Sequence, residues 1–323
     1  MSERCKGLTL PLVVVLNVIC ILKRYCCSDL QSVDIFCSWA FSIFPEMMVN
    51  LNYFGIILSL FVKVMKIAVA GKGGVGKTLI AGGIARGFAE RGLKTIGIDA
   101  DSSPNLGLTL GLSAEETRKI VPISDNQPLV EAKTSTGYSG VYNLNFTVDD
   151  IVKQYSVPTP LGVNLIVMGT VHTMGAGCMC APTAVIRALL RHLVVEVNEA
   201  VVMDLEAGVE HIGRGTARQV DDLLIIADSN MKSLEIAKHI HDLAVDAGMK
   251  SLHLIGNRVM DNTQREAIQT FAGQNGINVA AYVPWDQKII ESDMLGITPL
   301  KNKGNEAVKA IDGICEFLLS KKA

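Results

Sequence analysis

Neither sign of charge dominates this sequence: 30 lysines and arginines meet 32 aspartates and glutamates, and from residue 65 onward the balance is 25 against 28. A near-neutral, slightly acidic chain gives no electrostatic reason to expect nucleic acid as a partner. Also lacking is an apolar run of the ~20 residues that a helix needs to span a bilayer. The candidates, residues 8–22 and 53–62, fall short. Cysteine is sparse beyond residue 64, since five of the eight (Cys5, Cys20, Cys26, Cys27 and Cys37) precede it. That scarcity points to a reducing compartment, in which metal or redox roles for thiols outrank disulfides. No internal repeat or low-complexity run appears.

Residues 1–64 differ in character from the rest of the chain. They carry five basic and four acidic side chains; Lys23 and Arg24 close the first apolar run, and Pro45 and Glu46 interrupt the next stretch. Neither a clean signal peptide nor a clean membrane span emerges. Three readings compete for this apolar extension: a start called too early, with Met65 the true initiator; a membrane-associated leader, the one case in which a membrane is expected as a partner; or an added helical subdomain.

What the sequence does contain is a short apolar run, 66–70, feeding Gly71-Lys72-Gly73-Gly74-Val75-Gly76-Lys77-Thr78. This fits G-x-x-x-x-G-K-[ST] in the context the motif needs, with a buried-strand run before it and a helical pattern after it. The glycines let the backbone turn so that successive N–H groups converge on phosphate oxygens. The helix starting near Thr78 adds its positive end, Lys77 reaches the β- and γ-phosphates, and the Thr78 hydroxyl ligates Mg²⁺. ATP with Mg²⁺ is the expected ligand. The additional Lys72 narrows the reading, because K-G-G-x-G-K-T resembles the deviant P-loop of the MinD/ParA/nitrogenase-iron-protein class. The resemblance implies that Lys72 crosses to the nucleotide of a partner subunit, which places it beside Lys77 among the catalytic candidates. Members of that class usually begin at this strand, which favours Met65 as the initiator, 65–323 as the ATPase domain and the cytoplasm as its location.

Further strands are expected at 95–98, 163–168, 200–203, 223–227, 252–256 and 279–282, with helices at 78–91, 182–197, 231–247, 263–274 and 304–320. Such alternation implies an α/β fold, a mostly parallel sheet with helices on both faces, as in MinD-type P-loop NTPases. Residues 121–147 have weak periodicity and read as an irregular excursion holding at most short elements. The 95–98 strand delivers Asp99-Ala100-Asp101 at its carboxyl end, where ligands of open α/β sheets bind. By the same resemblance this is a switch site in which Asp101 orients the attacking water and Asp99 has a Mg²⁺ or water role, although Ser102 and Ser103 intervene before the proline that the class carries next. Asp204, at the tip of the 200–203 strand, is placed to hold the Mg²⁺ shell. Glu206 stands where related sequences tend to have glycine. Asn257-Arg258 resembles an Asn-Lys base-reading motif, which assigns Asn257 to adenine.

Cys178 and Cys180 form a C-x-C in a loop. An extended backbone points both sulfurs to one side, close enough to share a metal, yet two ligands do not close a four-coordinate site. A twofold dimer supplies the missing pair, because the same two cysteines return from the other subunit. Four thiolates suit Zn²⁺ in a tetrahedral site or Ni²⁺ in a square-planar one. Taken with residues 71–78, 99–101 and the run M-D-L-E-A-G-V-E-H-I-G-R-G-T-A at 203–217, the pair makes the chain resemble the CooC-type accessory ATPases that deliver nickel during maturation of carbon monoxide dehydrogenase. That likeness implies an ATP-sandwiched homodimer holding metal between four interfacial cysteines, with carbon monoxide dehydrogenase as the client.

Two other classes compete. A positioning ATPase of the MinD/ParA kind would need a reversible anchor, and Val308, Ile311, Cys315, Leu318 and Leu319 form an apolar stripe near the C-terminus. That reading leaves the C-x-C unexplained. An ATP-gated reductase with an interfacial iron–sulfur cluster would draw its cysteines from well-separated segments, whereas these two share one loop.

Overall fold

Every residue of β1 (Lys66–Gly71) is buried, because this strand lies in the interior of the sheet with β5 (Ala200–Leu205) on one side and β6 (Asp222–Ala227) on the other. The computed structural model describes residues 65–101, 103–138, 143, 146, 148–169, 181–195, 199–205 and 220–321. Both the 1–64 extension and the Cys178–Cys180 loop lie outside the described residues, as does Glu206.

The remaining strands are β2 (Thr95–Ala100), β3 (Val157–Pro158), β4 (Asn164–Val167), β7 (Leu252–Val259) and β8 (Val279–Pro284). They complete an eight-stranded sheet in the order β3-β4-β2-β5-β1-β6-β7-β8. Its pairs are parallel except for the short β3, which runs antiparallel to β4. Alternation along each central strand divides the core. Ala68 and Ala70 of β1 face one apolar cluster, together with Val201, Met203, Leu223 and Ile225; Ile67 and Val69 face the other, together with Val202, Leu224 and Ile226. Such strands must be apolar at every position, since both faces are covered.

The helices are α1 (Lys77–Glu90), α2 (Leu106–Thr109), α3 (Ala114–Lys119), α4 (Gln127–Thr134), α5 (Asp149–Tyr155), α6 (Ala181–Val195), α7 (Met231–Asp246), α8 (Asn262–Gln274), α9 (Gln287–Met294) and α10 (Glu306–Ser320). Local chemistry sets several starts: Asn230 caps α7 by accepting from the Lys232 N–H, and Asp261 caps α8 through the Gln264 N–H. Residues of α1, α2 and α10 pack on one face of the sheet, and those of α4, α5, α6, α7 and α8 on the other. The expected α/β architecture is therefore present.

The structure corrects several local expectations. β2 continues to Ala100, so Asp99 is a residue of the strand and not of the loop beyond it. The excursion at 121–147, by contrast, is as expected: among its described residues it holds only short elements, a 3₁₀ turn at Ile123–Asp125 and α4. Sequence periodicity missed α2, α3, α5, α9 and the short β3; of its apolar side chains α9 turns only Ile289 and Ile290 inward, both half-buried, a side too short for periodicity to mark.

The C-terminal apolar stripe faces its own core. Val308, Ile311, Cys315 and Leu318 of α10 are all fully buried, and Arg86 of α1 ties that helix down by donating to Asp312, while it also donates to the carbonyl of Leu300, in the turn before the helix, at 2.6 Å. Lys321, just past α10, reaches Asp222 at the start of β6. Asp222 also accepts from Ser251 Oγ at 2.5 Å and meets His253 Nε2 at 3.1 Å. Burial alone would raise the Asp222 carboxyl, but these partners outweigh it and bring the pKa from 3.8 to about 2. A carboxyl depressed on folding stabilises above its unfolded pKa, and the contribution disappears as pH falls through the folded one. Asp222→Asn is therefore expected to cost about 2 kcal/mol near neutrality and to flatten the loss of wild-type stability between pH 4 and pH 2. Denaturant melts across that range test both effects.

Candidate functional site

Because β1, β2, β5, β6 and β7 are parallel, the loops after their carboxyl ends open on one edge of the sheet. The loop leaving β1 runs from Gly71 to Gly76 and enters α1 at Lys77. Two glycines carry its shape. Gly71 has φ +154°, and a Cβ there would overlap the Ile226 carbonyl of β6; Gly76 has φ +93°, where a Cβ would strike the Asn257 amide. Gly76 is the N-cap of α1 and supplies no side-chain cap, so first-turn N–H groups remain for an anion.

Lys77 is only 5% exposed. Its Nζ lies 3.4 Å from the Lys72 carbonyl and 3.9 Å from the Asp101 carboxylate, so the charge is positioned without a ligand. Lys72 itself is half-buried, and Gly73 and Gly74 are exposed. A cavity of about 360 Å³ borders this loop, lined by Gly73, Gly74, Lys77, Thr78 and Asp101 among others. A second, of about 370 Å³, adjoins it and is lined by Asn257, Pro284, Trp285 and Ile289 among others. Gly76, Thr78, Asn105 and Arg258 belong to both. One polar chamber and one more apolar one, sharing a wall, suit the phosphates and the base of a nucleotide respectively.

Three aspartates gather at the inner end. Asp99 and Asp204 pair in register across β2 and β5, and both are fully buried. Asp99 accepts from the backbone N–H of Asp101 at 3.2 Å and of Leu106 at 2.9 Å. Burial, aided by the Asp101 charge, raises its pKa to about 6 against these bonds. Among the described residues neither carboxylate oxygen of Asp204 has a hydrogen-bond partner within 3.5 Å, although the Thr78 hydroxyl lies near enough to favour its charged form. Burial first, then the charges of Asp99 and Asp101, push it up to about 7, while the Thr78 hydroxyl and Lys77 pull it down. A buried carboxylate with no donor is costly unless something compensates it. Magnesium, which takes oxygen ligands from one or two carboxylates and fills its sphere with waters and substrate phosphates, fits this position; Thr78 and Asp204 are the residues that would hold it. Among the described residues no group of three His, Cys, Asp or Glu side chains is arranged for a metal.

Asn257 is buried and donates to the Val75 carbonyl at 2.6 Å, so it braces the phosphate loop as well as lining the more apolar chamber. Sequence reasoning missed this contact and missed Trp285 as a cleft residue, and it named Arg258 only as the second residue of the base-reading motif, with no role of its own. For Trp285 a signal existed, since it immediately follows the apolar 279–284 strand on the edge where ligands bind.

Residues 66–300 match the CobQ/CobB/MinD/ParA nucleotide binding domain. An uncharacterized ATP-binding protein of Methanocaldococcus jannaschii is 38% identical over 262 residues, covering 80% of this chain and 99% of the relative. The carbon monoxide dehydrogenase accessory protein CooC of Rhodospirillum rubrum is 39% identical over 238 residues, 72% of this chain and 89% of the relative. Among solved structures, the MinC:MinD cell division protein complex of Aquifex aeolicus superposes with a TM-score of 0.59 at 19% identity, over 80% of this chain and 96% of that one; at that identity the likeness is one of fold.

Proposed function

Since the chain belongs to the CobQ/CobB/MinD/ParA nucleotide-binding family of P-loop ATPases, we propose that it is an ATP-hydrolysing metallochaperone that assists nickel insertion into carbon monoxide dehydrogenase. In this reading two copies close around ATP, and closure brings Cys178 and Cys180 of each into one four-thiolate site for Ni²⁺ or Zn²⁺. Hydrolysis then reopens the dimer so that the ion passes to the client enzyme in the cytoplasm. The observation that carries the proposal is the Cys178–Cys180 pair in a chain 39% identical to an accessory protein of carbon monoxide dehydrogenase.

The roles divide by position. N–H groups of residues 71–78 bind the phosphates, Lys77 neutralises the β/γ charge, and Thr78 with Asp204 holds Mg²⁺, which supplies further neutralisation there. Asp101 orients the water for attack on the γ-phosphorus, Asp99 supports the Mg²⁺ or water shell, and Lys72 acts on the partner's nucleotide. Asn257 reads adenine with whatever donor and acceptor capacity its bond to Val75 leaves. Burial of the α10 stripe speaks against a membrane anchor in that segment. Among the described residues no helix is long and apolar enough to cross a membrane.

Metal titration with and without ATP tests the proposal. Ni²⁺ is expected to bind at one ion per two chains, to favour dimerisation by the factor that dimerisation favours binding, and to weaken as pH drops and the thiolates take up protons. Replacing Cys178 and Cys180 together by serine should remove the ion and spare ATP affinity. One ion per chain, retained in the double variant, overturns the reading; a brown protein containing iron and sulfide would favour the reductase class instead.

A further inference from the structure

The register between β7 and β8 breaks near their carboxyl ends. Gly256 pairs with Tyr282 and Val259 with Pro284, so Asn257 and Arg258 together oppose the single residue Val283. This is a bulge, and it redirects two side chains. In a regular strand successive residues point to opposite faces of the sheet, yet Asn257 and Arg258 line the same cavity. The turn is made at Arg258, whose φ is +57°, the one positive value at a non-glycine position among the described residues. That conformation costs energy that glycine would not incur. Bulges beside binding clefts commonly serve to re-aim a side chain.

The two residues then divide the work. Asn257 is buried and holds the phosphate loop through the Val75 carbonyl, whereas Arg258 is exposed and gains no burial from its strained backbone. It lines the polar chamber with Gly74, Lys77 and Thr78 and also the more apolar chamber beside Trp285. A guanidinium at this shared wall stands where the polyphosphate of a nucleotide would join its nucleoside. Its planar fork matches paired phosphate oxygens in a way that the point charge of Lys77 does not. Asp293 of α9 lines the same chamber; burial raises its carboxyl and the charge of Arg258 pulls it back.

We propose that Arg258 binds the polyphosphate of the nucleotide from the base side of the cleft, opposite Lys77 on the loop side. The proposal rests on the reading of this cleft as an ATP site and gives a phosphate-binding role to a residue that the base-reading motif leaves without one. Lys77 arrives with the P-loop, while Arg258 comes from the far side of the sheet order through the β7 bulge. The strained backbone at 258 is thereby explained as the means of bringing a second cation to the phosphates.

The test is displacement of a fluorescent ATP analogue by ATP, ADP and AMP, each with Mg²⁺, from the full chain and from Arg258→Gln, Arg258→Gly and Arg258→Lys. Loss of one charge-assisted contact is expected to weaken ATP about 10- to 100-fold in the glutamine and glycine variants, to weaken ADP in the same direction, and to alter AMP least; lysine recovers part of the loss. Arg258→Gly also relieves the backbone, so its melting temperature should equal or exceed that of the wild type, which separates a binding defect from a folding defect. Unchanged ATP affinity in the glutamine and glycine variants overturns the proposal. So does an equal loss for all three nucleotides, which would put the guanidinium on the base or ribose. A wild-type chain that binds no ATP, or whose affinity is undiminished in Lys77→Ala, overturns the ATP-site reading itself and Arg258 with it.

Discussion

Lys77→Ala is expected to weaken ATP binding by about a hundredfold or more, the loss of a buried, charge-assisted contact to a polyphosphate. The size of the effect comes from the surroundings of the side chain. Lys77 Nζ is nearly inaccessible and is held between the Lys72 carbonyl and Asp101 before any ligand arrives, so little ordering cost remains to be met on binding. Without it, the carboxylates of Asp99, Asp101 and Asp204 face an incoming polyanion with their nearest fixed counter-charge removed. Isothermal titration calorimetry measures the change directly. An affinity equal to that of the wild type would remove the P-loop assignment.

Asp204→Asn is expected to trade activity for stability. The wild-type carboxyl is buried, has no hydrogen-bond partner within 3.5 Å among the described residues and is raised to about 7. For an acid whose folded pKa lies above its unfolded value of 3.8, the folded state binds more protons between the two values, so stability falls as pH rises through that window. Removing the charge should restore on the order of 1–3 kcal/mol at neutral pH in the absence of Mg²⁺ and nucleotide, part of the gain being withheld because an unpaired amide is still buried. Thermal melts from pH 4 to pH 8 should therefore show a shallower decline for the variant. Its Mg²⁺-dependent ATP hydrolysis should fall to background in a phosphate-release assay. A variant that hydrolyses ATP normally would place the Mg²⁺ ligand elsewhere, and one that melts no higher than the wild type would show that the buried charge is already compensated.

How far the sequence carried depended on whether a residue's role is local. Gly71 to Thr78 could be read because each position is set by the turn of its own loop, and the buried strands because both faces of each are apolar. Asp204 was found as a polar residue near the end of such a strand, which in the structure runs one residue further, to Leu205. α9 was not found, since an eight-residue helix whose only half-buried apolar side chains are Ile289 and Ile290 leaves too short an apolar side to read as a period. The bond from Asn257 to the Val75 carbonyl joins segments that are distant in the chain, and no spacing rule reports such a contact. The bulge at Asn257 and Arg258 escaped for a related reason: it exists only relative to the register of β8. The stripe on α10 was legible as amphipathic, but whether it faced lipid or core depended on α1, with which it packs.

The interior position of β1 also bears on how the chain is assembled. Ile67 has Val202 on one side and Asp222 on the other, so the strand that leads into the phosphate loop finds neither neighbour until synthesis has proceeded far beyond it. At about 5–20 residues per second the delay is on the order of ten seconds, and pairings so distant in sequence are slow to close. During that interval the glycine loop can form only transiently, because Ile226 of β6 and Asn257 of β7, against which it packs, have yet to arrive. Nucleotide capture is consequently a late event in the life of each molecule, and ATP, binding only after the sheet is complete, can stabilise the finished fold but cannot template it.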